Sequence, residues 1–276
     1  MSRLLEPFAA WIERDVVHAH GADTVAFLQG QLSQDVAALA VGESAWTLLL
    51  EPDGKVVAWL RATRVGGQEI VLDTDPGVGA AVVARLSRFR LRTDCTLDLE
   101  EGQPALAVRG VARDATVGGL PIAWPGVSGY DLLGPSGSAP AGVELADGER
   151  LAAARIDAGV PVSGIDITTD TIPAEAGGWL IEASVSFDKG CYTGQELVAR
   201  VDSRGSNVPR PLRRLRSSEP LAVGAEITVD GNVVGHVTSA AADVEHGGWV
   251  GLGPVARKVI VPAEVLIDGH PVVVAA

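Results

Sequence analysis

From about Leu212 to the C-terminus the sequence changes character, and this change constrains the fold more than any other feature. Ile227-Thr228-Val229, then Asp230-Gly231, then Val233 to Val237 form a hairpin pattern, because an Asp-Gly pair accepts the positive φ angles of a two-residue turn. Asp268-Gly269 punctuates a second hairpin, between Val265-Leu266-Ile267 and Val272-Val273-Val274. Several short strands packed into roughly 65 residues predict a small barrel. Pro209 and Pro211 mark the linker that precedes it.

Upstream, strand and helix patterns alternate. Asp15 to Ala19 reads as a strand, and Asp23 or Thr24 opens a helix with Val25, Leu28 and Leu32 on one face and Gly30 weakening its middle. Trp46 to Leu50 and Val56 to Ala62 are strands joined by the turn Glu51-Pro52-Asp53-Gly54-Lys55, and Ile70 to Asp73 is the next strand. Val78, Val82, Leu86 and Phe89 then recur at helical spacing. Ala105 to Val108 and Tyr130 to Leu133 are β-prone, Glu149 to Ala158 is helical with Gly159 and Pro161 as its stop, and 162–175 is turn and loop. The expectation is an α+β fold in three parts: 1–104, 105–208 and a barrel over 209–276.

Charge and composition narrow the partners. A formal net charge of −13 over 276 residues argues against general nucleic-acid binding, which needs a positive surface. The longest apolar runs fall far short of the ~20 residues that cross a bilayer. No basic region followed by an apolar stretch opens the chain, and two cysteines, Cys95 and Cys191, are too few for a disulfide framework, so a cytoplasmic setting is expected. Cys95 sits in a strand-like context and is assigned to core packing. The histidines lack zinc-ligand spacing and the glycine-rich pieces lack a phosphate-loop pattern. Arg200, Arg204, Arg210, Arg213, Arg214 and Arg216 form one cluster and Arg85, Arg88, Arg90 and Arg92 another. Facing one cleft they would hold an anionic ligand; otherwise they are solvated faces.

The densest chemistry lies in Lys189-Gly190-Cys191-Tyr192-Thr193-Gly194-Gln195-Glu196. Thr193 and Glu196 fit a capping box, which places Cys191 just before a helix start, where the helix dipole and Lys189 favour thiolate. A buried, inert cysteine beside a helix cap is the competing reading. The octet resembles the K-G-C-Y-x-G-Q-E signature of the YgfZ-type folate-binding proteins, relatives of the aminomethyltransferase (T-protein) of the glycine cleavage system. Three further stretches are similar to that family in the same order: Phe27-Leu28-Gln29-Gly30-Gln31-Leu32-Ser33-Gln34-Asp35, Arg155-Ile156-Asp157-Ala158-Gly159-Val160-Pro161, and Ile172-Pro173-Ala174-Glu175.

The resemblance implies a T-protein-like arrangement, with a ferredoxin-like unit and a C-terminal barrel around a central cavity. It implies tetrahydrofolate or another folate derivative as ligand, and an accessory role in iron–sulfur cluster assembly or maintenance with iron–sulfur proteins or assembly factors as partners. Cys191 would be the key thiol and Lys189 its support, Gly190 and Gly194 would shape the loop, and Gln195 and Glu196 would order the helix start. Asp157 stands where the transferases carry a pterin-holding glutamate, and with Arg155 and Glu175 it is a candidate ligand contact. Without the resemblance, Arg155 and Asp157 read as a surface pair and Glu175 as a solvated loop acid. One departure matters: where the transferases carry G-G-x-x-D-D, this chain has Gly54-Lys55-Val56-Val57-Ala58-Trp59. Neither acid is present, which disfavours aminomethyl transfer. The two rival readings are a folate-dependent aminomethyltransferase and a folate-free interaction module.

Overall fold

The computed structural model describes residues 5–113, 118–203 and 207–276. Strand β1 (Phe8–His20) is the axis of the first sheet, with β4 (Glu69–Thr74) on one side and β5 (Thr96–Arg109) on the other, both antiparallel. Beyond β4 lies the hairpin β2 (Ser44–Leu50) and β3 (Val56–Gly66). Beyond β5 come β7 (Gly129–Leu133) and β6 (Leu120–Pro121), while β8 (Glu144–Leu145) runs parallel to β1. β1 and β5 extend well past the expected strands. A register shift between Arg14 and Val16 interrupts β1 where polar residues had hidden the alternation.

Helix α1 (Thr24–Gln31) and helix α2 (Gly79–Ser87) cover one face of this sheet, burying Leu28, Val82 and Leu86 against Val17, Leu60 and Ile70. Asp15 fixes the start of α2: its carboxylate accepts from the backbone N–H groups of Gly77, Gly79 and Gly102. The stripe ends sooner than its spacing predicts, since α2 stops at Ser87 and Phe89 is exposed, stacked on the Arg85 guanidinium. The opposite face of β2 and β3 carries Trp46, Leu48, Leu50 and Trp59, packed with Leu180 of α4 (Gly178–Ser184) and with Tyr192 and Val198, the latter on α5 (Gln195–Ser203). Both faces of the hairpin are therefore buried. Helix α4 shows no helical pattern in sequence, because its seven residues are too few for a readable period.

Helix α3 (Gly148–Asp157) is N-capped by Asp147 and ended by Gly159 at φ +73°. A short 3-10 turn follows at Pro173–Ala176. The C-terminal unit contains β9 (Leu212–Ser217), β10 (Glu226–Val229), β11 (Asn232–His236), β12 (Ser239–Ala242), β13 (Trp249–Pro254), β14 (Ala263–Ile267) and β15 (His270–Ala275). Among the described residues they order as β11-β10-β14-β15-β9-β13-β12, and a bridge from Gly235 to Val255 curls β11 back towards β13. Both expected Asp-Gly hairpins are present, with Asp230, Gly231, Asp268 and Gly269 all at positive φ. The α+β fold with a C-terminal barrel is thus the observed architecture. The 104/105 boundary falls inside β5, so one sheet is shared by the first two expected units, whereas 208/209 falls between α5 and β9. Among the described residues no helix is long and apolar enough to cross a membrane.

Candidate functional site

A cavity of about 380 Å³ opens between the first sheet, α3 and the segment 160–162. Aromatic rings form much of its wall. Trp46 and Trp59 stack with centroids 4.1 Å apart, and Trp124 lies under the Arg109 guanidinium at 4.4 Å. Both stacked indoles are tied back into the protein: Trp46 Nε1 donates to Pro121 O at 3.1 Å and Trp59 Nε1 to Ser184 Oγ at 2.8 Å. Their rings are held in place with no donor left over.

Alongside runs a buried chain of alternating charges. Asp75 accepts from Arg14 (2.7 Å), Arg14 Nε reaches Asp73 (3.0 Å), Asp73 takes Arg61 (2.9 Å), and Asp131 takes Arg61 (3.0 Å) and Arg109 (2.9 Å). Three cations and three anions balance, which is what lets Arg61 sit at 0% exposure. Burial alone would raise the Asp131 carboxyl, but Arg109, Arg61 and Arg14 outweigh it and hold it below the ordinary value. Asp75 borders the cavity, with Oδ1 accepting from Arg14 Nη1 (2.7 Å) and Oδ2 from the backbone N–H of Ser163 (2.8 Å), whereas Glu13, the exposed strand neighbour of Arg14, turns its side chain to the other face of the sheet.

Helix geometry decides which motif residues reach this space. Gly148, Leu151, Ala152 and Arg155 lie on the cavity face of α3, whereas Arg150, Ala153, Ala154 and Asp157 face a separate small hollow. Two residues along a helix turn the side chain through about 200°. Arg155 therefore lines the cavity while Asp157, two positions on, pairs with Arg216 of the barrel. Arg155 itself donates to Asp166 (2.9 Å) and to Ser239 Oγ of β12 (2.9 Å), joining α3 to the barrel. The Arg155–Asp157 surface pair does not form. Glu175 is buried, not solvated: its two oxygens accept from the backbone N–H groups of Ile172 (3.0 Å) and Arg210 (3.1 Å), tying the 3-10 turn to the linker, and it borders a second, smaller pocket.

The octet lies elsewhere. Cys191 is exposed and Cys95 is buried, and burial pushes the Cys95 thiol up. Lys189 points away from solvent: its ammonium donates to the carbonyls of Gln29 (2.6 Å), Leu32 (2.7 Å) and Gln34 (2.9 Å), at and beyond the last turn of α1. Burial lowers its pKa to about 8. The capping box over Thr193 and Glu196 is corrected by one residue. Gln195 Oε1 reaches back to Tyr192 N (3.2 Å), Thr193 Oγ1 turns to Gly30 O and Gln31, and Glu196 is exposed. Gly194 is the cause, since at φ +86° it delays the helix to Gln195 and brings the backbone against the β2–β3 turn; a Cβ there would sit 2.7 Å from Glu51 O. Gly190 meets no such crowding. The octet and the cavity are linked through packing, because Tyr192 shares one apolar cluster with Trp46 and Trp59.

The arginine clusters do not converge on the cavity. Arg85 and Arg88 pair with Glu51, Arg90 donates to Cys95 O, Arg214 and Arg216 engage Asp157, and Arg204 lies outside the described residues. The cavity arginines are instead Arg14, Arg109 and Arg155. The first two were passed over in sequence, although a charged residue inside an apolar strand run, as at Arg61 and Arg109, is the signal that would have found this network.

The curled sheet with its appended barrel is a known architecture. The fold matches the glycine cleavage system aminomethyltransferase T of Bartonella henselae, with TM-score 0.75 and 22% identity, covering 98% of this chain and 85% of that one. In sequence the chain is similar to the tRNA-modifying protein YgfZ of Sodalis glossinidius, 29% identical across 77% of this chain and 72% of that protein. It is also similar to an aminomethyltransferase of Frankia alni, 28% identical across 91% and 79%. No family model matches. In sequence the chain is thus similar to several YgfZ proteins, at 26–29% identity, and in fold to a glycine-cleavage aminomethyltransferase.

Proposed function

We propose that this protein binds a reduced folate in the tryptophan-lined cavity and serves iron–sulfur cluster assembly or maintenance through Cys191. The observation that carries the folate reading is the cavity itself. Its volume lies in the range of small-molecule sites, its rings suit a flat heterocycle, and the Asp75 carboxylate, with one donor on each oxygen, keeps lone pairs for the N–H groups of a 2-amino-4-oxo ring. Arg155 holds the wall next to Val160 and Pro161. Asp157 and Glu175 support that wall from outside, through Arg216 and the linker.

Lys189, Gly194 and Gln195 shape the loop that displays Cys191, with Gly190 and Glu196 on its exposed rim. A single thiol cannot hold a cluster, so contact with cluster proteins is transient or shared with a partner thiol. Aminomethyl transfer is the weaker reading, because Trp59 stands on the cavity wall where the transferases carry an acid. The Sodalis relative is named as tRNA-modifying. With a net charge of −13 this chain is ill suited to gripping tRNA itself, so any effect on tRNA would run through a client enzyme.

Two measurements test the proposal. Tetrahydrofolate at a hundredfold excess over Kd should stabilise the protein by ~2.7 kcal/mol in an anaerobic thermal melt. A strain lacking the gene should lose activity in several iron–sulfur enzymes under oxidative stress, restored by the native gene and not by Cys191→Ser. An unshifted melt removes the folate reading, and unaltered enzymes remove the cluster role.

A further inference from the structure

Arg109 is the cavity residue whose hydrogen bonding is incomplete. It is 3% exposed, yet among the described residues its bonds all leave from Nη1, to Val108 O (3.0 Å), Tyr130 O (3.2 Å) and Asp131 Oδ1 (2.9 Å). Nε has no partner among the described residues. A buried guanidinium N–H without an acceptor costs about 1–3 kcal/mol or more, so native proteins seldom leave one. Stacking on Trp124 does not answer it, because the stack uses the face of the guanidinium and the N–H groups lie in its plane.

The side chain is therefore fixed on three sides, by Asp131, by backbone carbonyls and by Trp124; Nε is sealed within the protein, and Nη2, unbonded among the described residues, is the donor left over on a residue that lines the cavity. Nη2 carries two N–H donors for an acceptor in the cavity.

We infer that Arg109 reads the ring carbonyl of the bound ligand, so that the site selects 4-oxo over 4-amino pteridines; this rests on the folate reading above. The ring is the part to meet Arg109 because the residue is almost wholly buried, whereas a charged glutamate tail keeps its hydration by staying at the mouth. A 4-oxo group accepts from the Nη2 N–H groups. A 4-amino group presents donors to them, leaving both sides unpaired.

The test compares tetrahydrofolate, its 4-amino-4-deoxy analogue and p-aminobenzoylglutamate by anaerobic calorimetry on wild type, Arg109→Met and Arg109→Lys. Arg109→Lys keeps a cation beside Asp131, and melting curves confirm which variants are folded. Wild type should prefer the 4-oxo ligand by roughly tenfold to a hundredfold. Both variants should lose most of that preference through weaker 4-oxo binding. Discrimination retained in the folded lysine variant overturns this inference while leaving the folate reading intact. Equal weakening of p-aminobenzoylglutamate binding also overturns it, by assigning Nη2 to a carboxylate. No binding of any pteridine by wild type removes both.

Discussion

Replacing Lys189 with methionine tests whether the most conspicuous motif of this chain acts first as a strut. The ammonium closes three bonds to carbonyls of 29, 32 and 34, and Leu32 is fully buried. Methionine keeps the apolar stem and removes every donor. A net bond is worth about 1 kcal/mol, and each stranded acceptor costs about 1–3 kcal/mol, while relief from burying a cation offsets part of the loss. The balance is a destabilisation of ~2–4 kcal/mol, which lowers Tm by roughly 5–15 °C in a chain of this size. Hydrogen exchange should localise the damage: the Ser33 N–H to Leu48 O bond, which docks the end of α1 on β2, should lose protection before the barrel does. A melt within about 0.5 kcal/mol of wild type, with unchanged exchange, would refute the reasoning. Slower alkylation of Cys191 with an unchanged melt would show that the lysine serves the thiol alone.

Further outcomes follow from the same geometry. Iodoacetamide should label Cys191 in the native protein and Cys95 only after unfolding, as mass spectrometry of the modified peptides would show. Gly194→Ala should destabilise by about 1–3 kcal/mol in urea, because the residue is at φ +86° against backbone, whereas Gly190→Ala should lie within about 0.5 kcal/mol of wild type. Asp131→Asn should cost about 3–5 kcal/mol at neutral pH by leaving Arg61 and Arg109 short of an anion. Because folding lowers the Asp131 pKa, its contribution is complete above the ordinary value of about 3.9 and fades as pH falls through the folded value; the variant should therefore lose less stability than wild type on acidification below pH ~4.

Local chemistry made the barrel legible. Asp-Gly pairs with alternating valines specify hairpins without reference to distant residues, and both hairpins stand where expected. Helix α3 was equally clear, from its period and its glycine stop. Long-range partners were not legible. The extent of β1 and β5 depends on pairing across more than seventy residues, and the short helix α4 on packing beneath Trp59. The octet signalled importance, but Lys189 could not reveal that its acceptors lie about 160 residues away. The R-x-D stretch named two adjacent candidates that a helical turn then separates. Arg14, Arg109 and Asp131 are scattered in sequence and meet only when the sheet forms.

Tryptophan fluorescence during anaerobic titration with tetrahydrofolate tests the central claim most directly. With Trp46, Trp59 and Trp124 on the cavity wall, a bound pteridine should quench saturably at one equivalent, and Trp124→Ala should weaken binding by about tenfold or more, since ring stacking is worth roughly 1–3 kcal/mol. Quenching that never saturates, or the same affinity in folded Trp124→Ala, would contradict a folate site in this cavity.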